Sequence, residues 1–383
     1  MRFQTKIEGA TGRGGRRPCL PFAPHEHQQA RRPAATGGIR FAMMSAMLVL
    51  FSTAHAAETV ALSGRAMGTT WSAKFVQPEQ ALVQTAVQSA IANRLEQLEQ
   101  LFSTYRPNST LSRFNAANTT DWISVPTEMA ELATLSRTVS ELTAGAYDVT
   151  VHPLVQLWGF AAERRADSLP APADIAAARA LVDFRLLDVR MNPPALRKNR
   201  RQVTVDFSSM TKGFAVDSIS ELLTRLGAAN HLVQIAGDMK SAGMMSDGRH
   251  WHAGIEDGRS TLPTREPSPV GSRGIASVIE LRSAALSTSG NYRNFFELGG
   301  RRYGHVIDPR SGRPVSGPLV SVSVVHSSAA MSSALATAFF VLGADDGFRL
   351  ANEQKLACLF QVRSGVETVQ RATPEFERLT NGF

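Results

Sequence analysis

The chain has 383 residues, an apolar fraction of 43%, a charged fraction of 19% and a formal net charge of +8. This composition is typical of a globular protein with a sizeable core and excludes a disordered chain. The positive charge does not indicate a nucleic-acid partner, because residues 1–56 hold eight Lys/Arg against two Asp/Glu and so supply +6 of the +8. The rest carries about +2 and has no run of five basic residues.

Residues 1–56 are predicted to be a targeting segment. Basic residues precede the uncharged, largely apolar stretch 41–54, which is too short to span a bilayer as a helix. The small residues of a signal-peptidase site follow at 54–56, in Ala-His-Ala. We therefore expect export to the periplasm and cleavage after Ala56, which leaves residues 57–383 as one domain. An uncleaved chain attached to the inner membrane is the alternative.

The remaining chain alternates strands and helices irregularly and has no repeat of fixed period. Its clearest helix is Pro78–Phe102, where apolar residues recur at helical spacing. The irregular order favours an α+β architecture over a strict doubly wound fold. The other predicted helices are Thr127–Thr143, Ala173–Leu181, Gly213–Leu226, Ala329–Leu342 and Asp345–Asn352. The predicted strands are Thr59–Leu62, Thr69–Val76, Ala146–His152, Leu186–Met191, Gln202–Phe207, His231–Ile235, Trp251–Ile255, Ala276–Leu281, Ala284–Thr288, Tyr303–Ile307, Leu319–Val325, Lys355–Val362 and Glu367–Gln370.

The stretch Ser287–Pro314 combines two polar turns with a short apolar run that contains His305. Sites are commonly built on loops at the ends of strands. A histidine between such turns is a candidate proton carrier, because its unperturbed pKa of about 6.5 suits acid–base work. The alternative is a polar hairpin with a solvated histidine.

The segment Asp206–Gly213 is predicted to join a strand to a helix, with two serines and Lys212 exposed at the junction. The free amides and dipole at a helix N-terminus attract phosphate, and Lys212 would add a positive charge. The glycines of a P-loop are missing. A Gly-x-Gly-x-x-Gly after a strand, a Gly-x-Ser-x-Gly and a zinc-type Cys/His spacing are also absent, which gives no support to a Rossmann, hydrolase-elbow or zinc site.

Eight motifs that recur in order along residues 59–363 give the chain a resemblance to a known family. It resembles the ApbE family of FAD:protein FMN transferases. The motifs are AMGTTW (66–71), FSTYRPNSTLSRFN (102–115), GAYDVTVHPLVQLWGF (145–160), VDFSSMTKGFAVD (205–217), VQIAGDM (233–239), ALSTSGNYRNFF (285–296), GHVIDPRSGRP (304–314) and SALATAFFVLG (333–343).

The resemblance implies a fold, a reaction and partners. The fold would be an ApbE-like, T-fold-like α+β arrangement of mixed sheets with packed helices. The protein would be an exported enzyme that binds FAD and magnesium, transfers FMN to a threonine hydroxyl of a partner flavoprotein and releases AMP. The NosX branch of the family would point to the membrane regulator of nitrous oxide respiration as the client. A flavin-binding assembly protein without transferase activity and an FAD pyrophosphatase remain alternatives.

The resemblance also implies roles for individual residues. His305 matches the base that takes the proton of the threonine hydroxyl. A pyrophosphate attacked by an alcohol needs such a base together with positive charge on the phosphates. The residues that match flavin-binding positions are Met67, Tyr105, Ala146, Tyr147, Asp148, Asp206, Lys212 and Ile307.

The metal site implied by the resemblance would use Ser209, Ser333 and Thr337, and it departs from the family pattern. The family pattern is Asp-Ala-Leu-Ala-Thr. This chain reads Ser-Ala-Leu-Ala-Thr at 333–337, with a serine in place of the aspartate. Since Mg²⁺ prefers carboxylate oxygens, a neutral hydroxyl is a weaker ligand. Ser209 would contribute its backbone carbonyl. We expect magnesium held by Thr337, FAD and water, or a weakened metal dependence, or flavin binding alone.

Overall fold

A computed structural model describes residues 58–161, 168–258, 274–291, 295–365 and 367–380. The predicted targeting segment lies outside these ranges, as does most of the loop between Asp257 and Arg273. Within these ranges, no helix combines the length and the hydropathy needed to cross a bilayer.

The described chain forms strands and helices in an irregular order, as the sequence indicates. The strands are β1 Thr59–Ala66, β2 Thr69–Val76, β3 Ile123–Ser124, β4 Leu187–Met191, β5 Pro194–Lys198, β6 His231–Ile235, β7 Asp238–Ala242, β8 Trp251–Glu256, β9 Ile275–Leu281, β10 Ala285–Gly290, β11 Phe295–Leu298, β12 Arg301–Gly304, β13 Ile307–Asp308, β14 Arg313–Pro314, β15 Leu319–His326, β16 Ala357–Ser364 and β17 Glu367–Ala372. The helices are α1 Gln84–Phe102, α2 Thr110–Ala116, α3 Thr127–Leu142, α4 His152–Leu157, α5 Pro172–Arg179, α6 Ser208–Arg225, α7 Ala329–Leu342, α8 Asp346–Glu353 and α9 Pro374–Thr380.

The largest sheet has eight strands in the order β1-β2-β6-β7-β10-β15-β16-β17. Every neighbouring pair in it is antiparallel. Smaller antiparallel sheets pair β3-β5-β4, β8-β9, β11-β12 and β13-β14. The α+β prediction is therefore confirmed.

Helix α7 lies at the centre of the main core, against β10, β15 and α6. Almost every residue of α7 is apolar or small and buried, which is the pattern of a helix covered on all sides. Helix α6 approaches it closely at Gly213, where a Cβ would lie 2.2 Å from the carbonyl oxygen of Ala329. Glycine is thus required at this crossing, and it brings two helices with polar faces together.

A separate aromatic cluster supports the segment around His305. The rings of Trp158 and Phe296 stack on opposite sides of Tyr303, with centroid distances of 5.9 and 5.2 Å. The indole Nε1 of Trp158 donates to the carbonyl oxygen of Gly312 over 2.8 Å. These contacts fasten β12 and the turn after β13 to helix α4.

Two predicted strands are wrong, because side chains rather than neighbouring strands satisfy the backbone. Residues 203–207 are not paired in a sheet. The side chain of Asn115 bonds both backbone groups of Val205, donating to its oxygen over 2.9 Å and accepting from its nitrogen over 2.8 Å. Near residue 150, Asp148 accepts from the backbone amide of Thr150 over 2.7 Å and so begins a 3-10 turn that runs into α4.

Other boundaries also differ from the sequence prediction, and helix α1 begins at Gln84, six residues after the predicted start at Pro78. Helix α6 begins at Ser208, five residues before the predicted start at Gly213. The strand predicted across Tyr303–Ile307 ends at Gly304 and resumes at Ile307, so that His305 lies in the bend between β12 and β13. A bend at this point leaves the imidazole on a loop instead of in a strand ladder.

Candidate active site

A cleft of about 560 Å³ opens where the ends of α6 and α7 meet the turns after β6 and β12. Its size falls within the range of about 300–1,000 Å³ that is usual for ligand pockets. The cleft brings together residues predicted from distant parts of the sequence. The predicted site residues in its wall are Tyr105, Ala146, Tyr147, Asp148, Asp206, Ser209, Lys212, His305, Ile307, Ser333 and Thr337.

Met67 is the predicted site residue that does not line this cleft. It sits in the turn between β1 and β2 with a φ of 52°, and its backbone amide donates to the carboxylate of Glu99. Its side chain packs against the main core. The wall beside this turn is formed by Thr69 and Thr70 instead.

Tyr147 and Asp148 are held by the protein itself. The Tyr147 hydroxyl and the Ser209 hydroxyl are hydrogen bonded over 2.9 Å, and burial raises the pKa of the phenol well above its ordinary value. Asp148 is 7% exposed and accepts from Thr150 and from the backbone amide of Phe184. Burial raises the pKa of Asp148 to about 6. The carboxylate of Asp148 is therefore bonded to the protein itself and forms part of the cleft wall.

Asp206 forms a buried polar pair with His152 on the same wall. The Asp206 Oδ2 and the His152 Nδ1 are 3.7 Å apart, and the two residues are 9% and 8% exposed. Burial alone would raise the pKa of Asp206, but His152 and the backbone amide of Ser208 hold it below its ordinary value. His152 Nδ1 has no hydrogen-bond partner. Sequence reasoning missed His152, although it stands within one of the recognised motifs.

Lys212 supplies a positive charge in the first turns of α6. The side chain lines the cleft, and no carboxylate among the described residues forms an ion pair with it. An unpaired ammonium near a helix N-terminus is suited to an anionic ligand such as a phosphate.

The polar face where α7 meets α6 gathers oxygen atoms from four elements, α6, α7, β7 and β10. The Ser333 hydroxyl lies 2.7 Å from the Ser209 carbonyl oxygen and 3.2 Å from the Asp238 Oδ2, and it donates to both. One turn later, the Thr337 hydroxyl donates to the Ser333 carbonyl over 3.1 Å and is hydrogen bonded to the Ser289 hydroxyl over 2.9 Å. The three residues predicted for the metal site thus lie together.

Asp238 is the functional candidate that sequence reasoning did not assign. It begins β7 after a two-residue turn, Ala236-Gly237, in which both residues have positive φ values of 54° and 106°. Such a turn is typical of tight hairpins. Burial raises the pKa of Asp238 to about 6, and the charge of Lys212 opposes that rise. The short strands around Gly237 could have predicted this hairpin, and with it a carboxylate at the cleft.

The donors around Ser333 fit a hard cation that is shared with an anionic ligand. Among the described residues, no group of three or more His, Cys, Asp or Glu could hold a metal by itself. The oxygen donors are one carboxylate, two hydroxyls and one carbonyl, and Mg²⁺ is commonly bound by one or two carboxylates with substrate phosphates and water. The buried hydroxyl of Ser287 lies near Asp238 and helps to lower the pKa of that carboxyl.

His305 stands at the mouth of the same cleft, between β12 and β13. The side chain is partly exposed and lines the cleft, and its ring lies edge-on to Phe160 with centroids 6.5 Å apart. The cleft therefore combines a histidine, a lysine and a group of hard oxygen donors.

Comparison with known proteins identifies the family. The model of the ApbE family matches residues 67–360. The chain belongs to the ApbE family. A relative from Vibrio cholerae, named FAD:protein FMN transferase, is 35% identical over 334 residues, covering 87% of this chain and 96% of the relative. A second relative with the same name, from Haemophilus influenzae, is 33% identical. The match covers 84% of this chain and 92% of that relative.

Solved ApbE structures have the same fold. The flavin transferase ApbE from Vibrio cholerae superposes with a TM-score of 0.75 at 33% identity, covering 84% of this chain and 99% of that one. The apo form of the Pseudomonas stutzeri flavinyl transferase ApbE gives a TM-score of 0.76 at 34% identity, with 85% and 98% covered. The ApbE-like fold predicted from the sequence is confirmed.

Proposed function

We propose that this chain is an FAD:protein FMN transferase, which moves the FMN half of FAD to a threonine hydroxyl of a partner protein and releases AMP. The observation that carries the proposal is the single cleft that holds His305, Lys212 and the oxygen cluster at Ser333. The names of the ApbE relatives support the same reaction.

The residues of the cleft can divide the work of this phosphoryl transfer. The threonine oxygen forms a new bond to the FMN phosphorus, and the bond from that phosphorus to the AMP oxygen breaks. His305 would take the proton of the attacking hydroxyl, and Lys212 would balance charge on the pyrophosphate. The pair of Asp206 and His152 would offer fixed polar atoms to the bound dinucleotide. AMP leaves with the bridging oxygen.

We propose magnesium as the cation of this site. Ser209, through its carbonyl, and Thr337, through its hydroxyl, are the residues that would hold it beside Ser333. When bound, the ion would neutralise negative charge on the pyrophosphate oxygens. The hard oxygen donors grouped around Ser333 support this assignment.

We also propose the compartment and the client. The apolar stretch and the small residues before Ala57 support export and a periplasmic mature protein. The first client to test is the flavin-carrying membrane regulator of nitrous oxide respiration, on the basis of the resemblance to the NosX branch. Mass spectrometry of the periplasmic protein tests the cleavage: a mature N-terminus other than Ala57 contradicts it.

Co-expression with a candidate acceptor, followed by denaturing electrophoresis, tests the reaction. We expect a fluorescent flavin band on the acceptor that disappears when its threonine is changed to alanine. AMP release without labelling would instead identify an FAD pyrophosphatase, and flavin binding without AMP release would identify an assembly protein.

Replacement of the proposed base gives an independent test. We expect His305→Asn to lower the transfer rate by about 10²–10⁴-fold while FAD still binds, since this is the usual contribution of a general base. His250→Asn, in the turn before β8 and outside the cleft wall, is the matched control. Equal rates for the two variants would contradict the role of His305.

A further inference from the structure

The position that lacks its expected carboxylate has another carboxylate beside it. The resemblance leads one to expect an aspartate at position 333, where this chain has a serine. The Ser333 hydroxyl nevertheless lies 3.2 Å from Asp238 Oδ2, which comes from a different element of the fold. An acidic oxygen is therefore present at the site without any acidic residue on α7 facing it.

The backbone fixes the position of Asp238. The residue follows a two-residue hairpin turn and pairs with Ile235 in the register of β6 and β7. The next two residues of β7 pair with β10, whose Ser289 is hydrogen bonded to Thr337. The backbone of Asp238 is therefore held at the start of a strand that pairs with both β6 and β10.

The same hydroxyl links Asp238 to the second donor. Ser333 donates over 2.7 Å to the Ser209 carbonyl, so one hydroxyl stands between a carbonyl oxygen and a carboxylate oxygen. A serine side chain is shorter than an aspartate and leaves room between these oxygens. Lone pairs from a carbonyl, a carboxylate and the Thr337 hydroxyl then converge on one polar face of the cleft.

We propose that Asp238 supplies the carboxylate ligand of the divalent cation in this protein, in place of an acidic residue at position 333. The Ser209 carbonyl and the Thr337 hydroxyl would be the other two protein ligands of the cation. The Ser333 hydroxyl would orient the carboxylate of Asp238. The proposal rests on the proposed function, since FAD pyrophosphate and water supply the other ligands of the hard cation. The acidic ligand would then come from strand β7 and not from helix α7.

Metal titration of three variants tests the assignment without requiring turnover. Mn²⁺ binding is followed by the loss of the free-ion electron paramagnetic resonance signal, with the full chain alone and with FAD. We expect Asp238→Asn to weaken Mn²⁺ binding in the presence of FAD by about tenfold or more, as for changes to groups that hold a metal. Asp247→Asn removes an exposed carboxylate in the turn after β7 and is expected to leave binding unchanged.

The second-site variant distinguishes a ligand from a merely structural residue. In Asp238→Asn combined with Ser333→Asp, we expect Mn²⁺ affinity to return towards that of the parent chain. In EDTA, flavin fluorescence titrations should show FAD affinity in Asp238→Asn no weaker than in the parent chain, because the change removes a negative charge beside the pyrophosphate. Unchanged Mn²⁺ binding in Asp238→Asn, or a lack of rescue by the double variant, would overturn the proposal.

These readouts separate this inference from the proposed function. If the acceptor is never labelled but Asp238→Asn still weakens Mn²⁺ binding, the transferase assignment fails and the ligand assignment stands. If labelling requires magnesium but Asp238→Asn binds Mn²⁺ normally, the ligand assignment fails alone.

Discussion

Asp217 on α6 caps the helix that follows Ser328. Its Oδ2 accepts from the Ser328 hydroxyl over 2.8 Å and from the Ala330 amide over 3.0 Å, while its Oδ1 accepts from the Ala329 amide and from Lys240. One carboxylate thus satisfies the first amides of α7, which otherwise lack partners at a helix start. Since α7 carries Ser333 and Thr337, this cap helps to fix where the oxygen cluster lies relative to α6.

The first prediction concerns this cap. Asp217→Ala leaves two backbone amides and the Lys240 ammonium without their acceptor, in a place where the side chain is 14% exposed. We expect a loss of about 2–4 kcal/mol in the free energy of unfolding, measured by urea denaturation. Asp345→Ala, whose side chain is 94% exposed, is the control and should change stability by less than about 0.5 kcal/mol. Similar losses in both variants would contradict the capping role.

The second prediction tests the close crossing of α6 and α7. A methyl group at position 213 would meet the carbonyl of Ala329, so Gly213→Ala must separate the helices. We expect a loss of about 1–3 kcal/mol in stability together with weaker FAD binding, because Ser209 and Ser333 move apart. In Gly254→Ala the new Cβ would make an ordinary 3.4 Å contact with Ile275, and stability should be nearly unchanged. Full FAD affinity in Gly213→Ala would show that the crossing does not position the site.

Motifs located the site better than they located the backbone around it. The resemblance to the ApbE family predicted Ser209, Ser333 and Thr337 as neighbours, because their motifs match the family's metal-binding positions. It did not predict Asp238 there, because the contact depends on how β7 pairs between β6 and β10. Pairing between strands far apart in sequence leaves no local pattern.

The wrong strand at Gln202–Phe207 has a similar cause. Its β-branched residues suit a strand, but the segment pairs with no neighbouring strand. The side chain of Asn115 takes the place of a partner strand at Val205. A single side chain 90 residues away decided the outcome, and the local sequence contains no sign of it.

The third prediction is a pH dependence that arises from Asp148. Burial raises the pKa of this carboxyl from 3.8 to about 6 in the folded chain. Between those values the folded protein holds a proton that the unfolded chain has lost, so stability falls as the pH rises through this window. The fall over the whole window is on the order of 3 kcal/mol, of which about 2 kcal/mol lies between pH 4.5 and pH 7, if no other group compensates. Urea denaturation of the parent chain at pH 4.5 and pH 7 measures it.

Replacement of the carboxyl isolates its share of that slope. Asp148→Asn cannot titrate, so its stability should vary less between pH 4.5 and pH 7 than that of the parent chain. The variant loses some stability at both values, because an amide nitrogen cannot accept from Phe184 as the carboxylate does. Asp345→Asn, which changes an exposed carboxylate, should keep the parent slope. An unchanged slope in Asp148→Asn would assign the dependence to another group.

The last prediction concerns a second carboxylate at position 333. Ser333→Asp would put two acidic groups where a hydroxyl and Asp238 Oδ2 are now 3.2 Å apart, and like charges at this distance repel. In EDTA we therefore expect a lower melting temperature than that of the parent chain. With magnesium and FAD present, the ion would lie between the two carboxylates, and the melting temperature should rise by more than it does in the parent. Ser333→Ala removes the hydroxyl without adding charge and should show no enlarged response to magnesium. If the response of Ser333→Asp to magnesium equals that of the parent, position 333 does not face the ion.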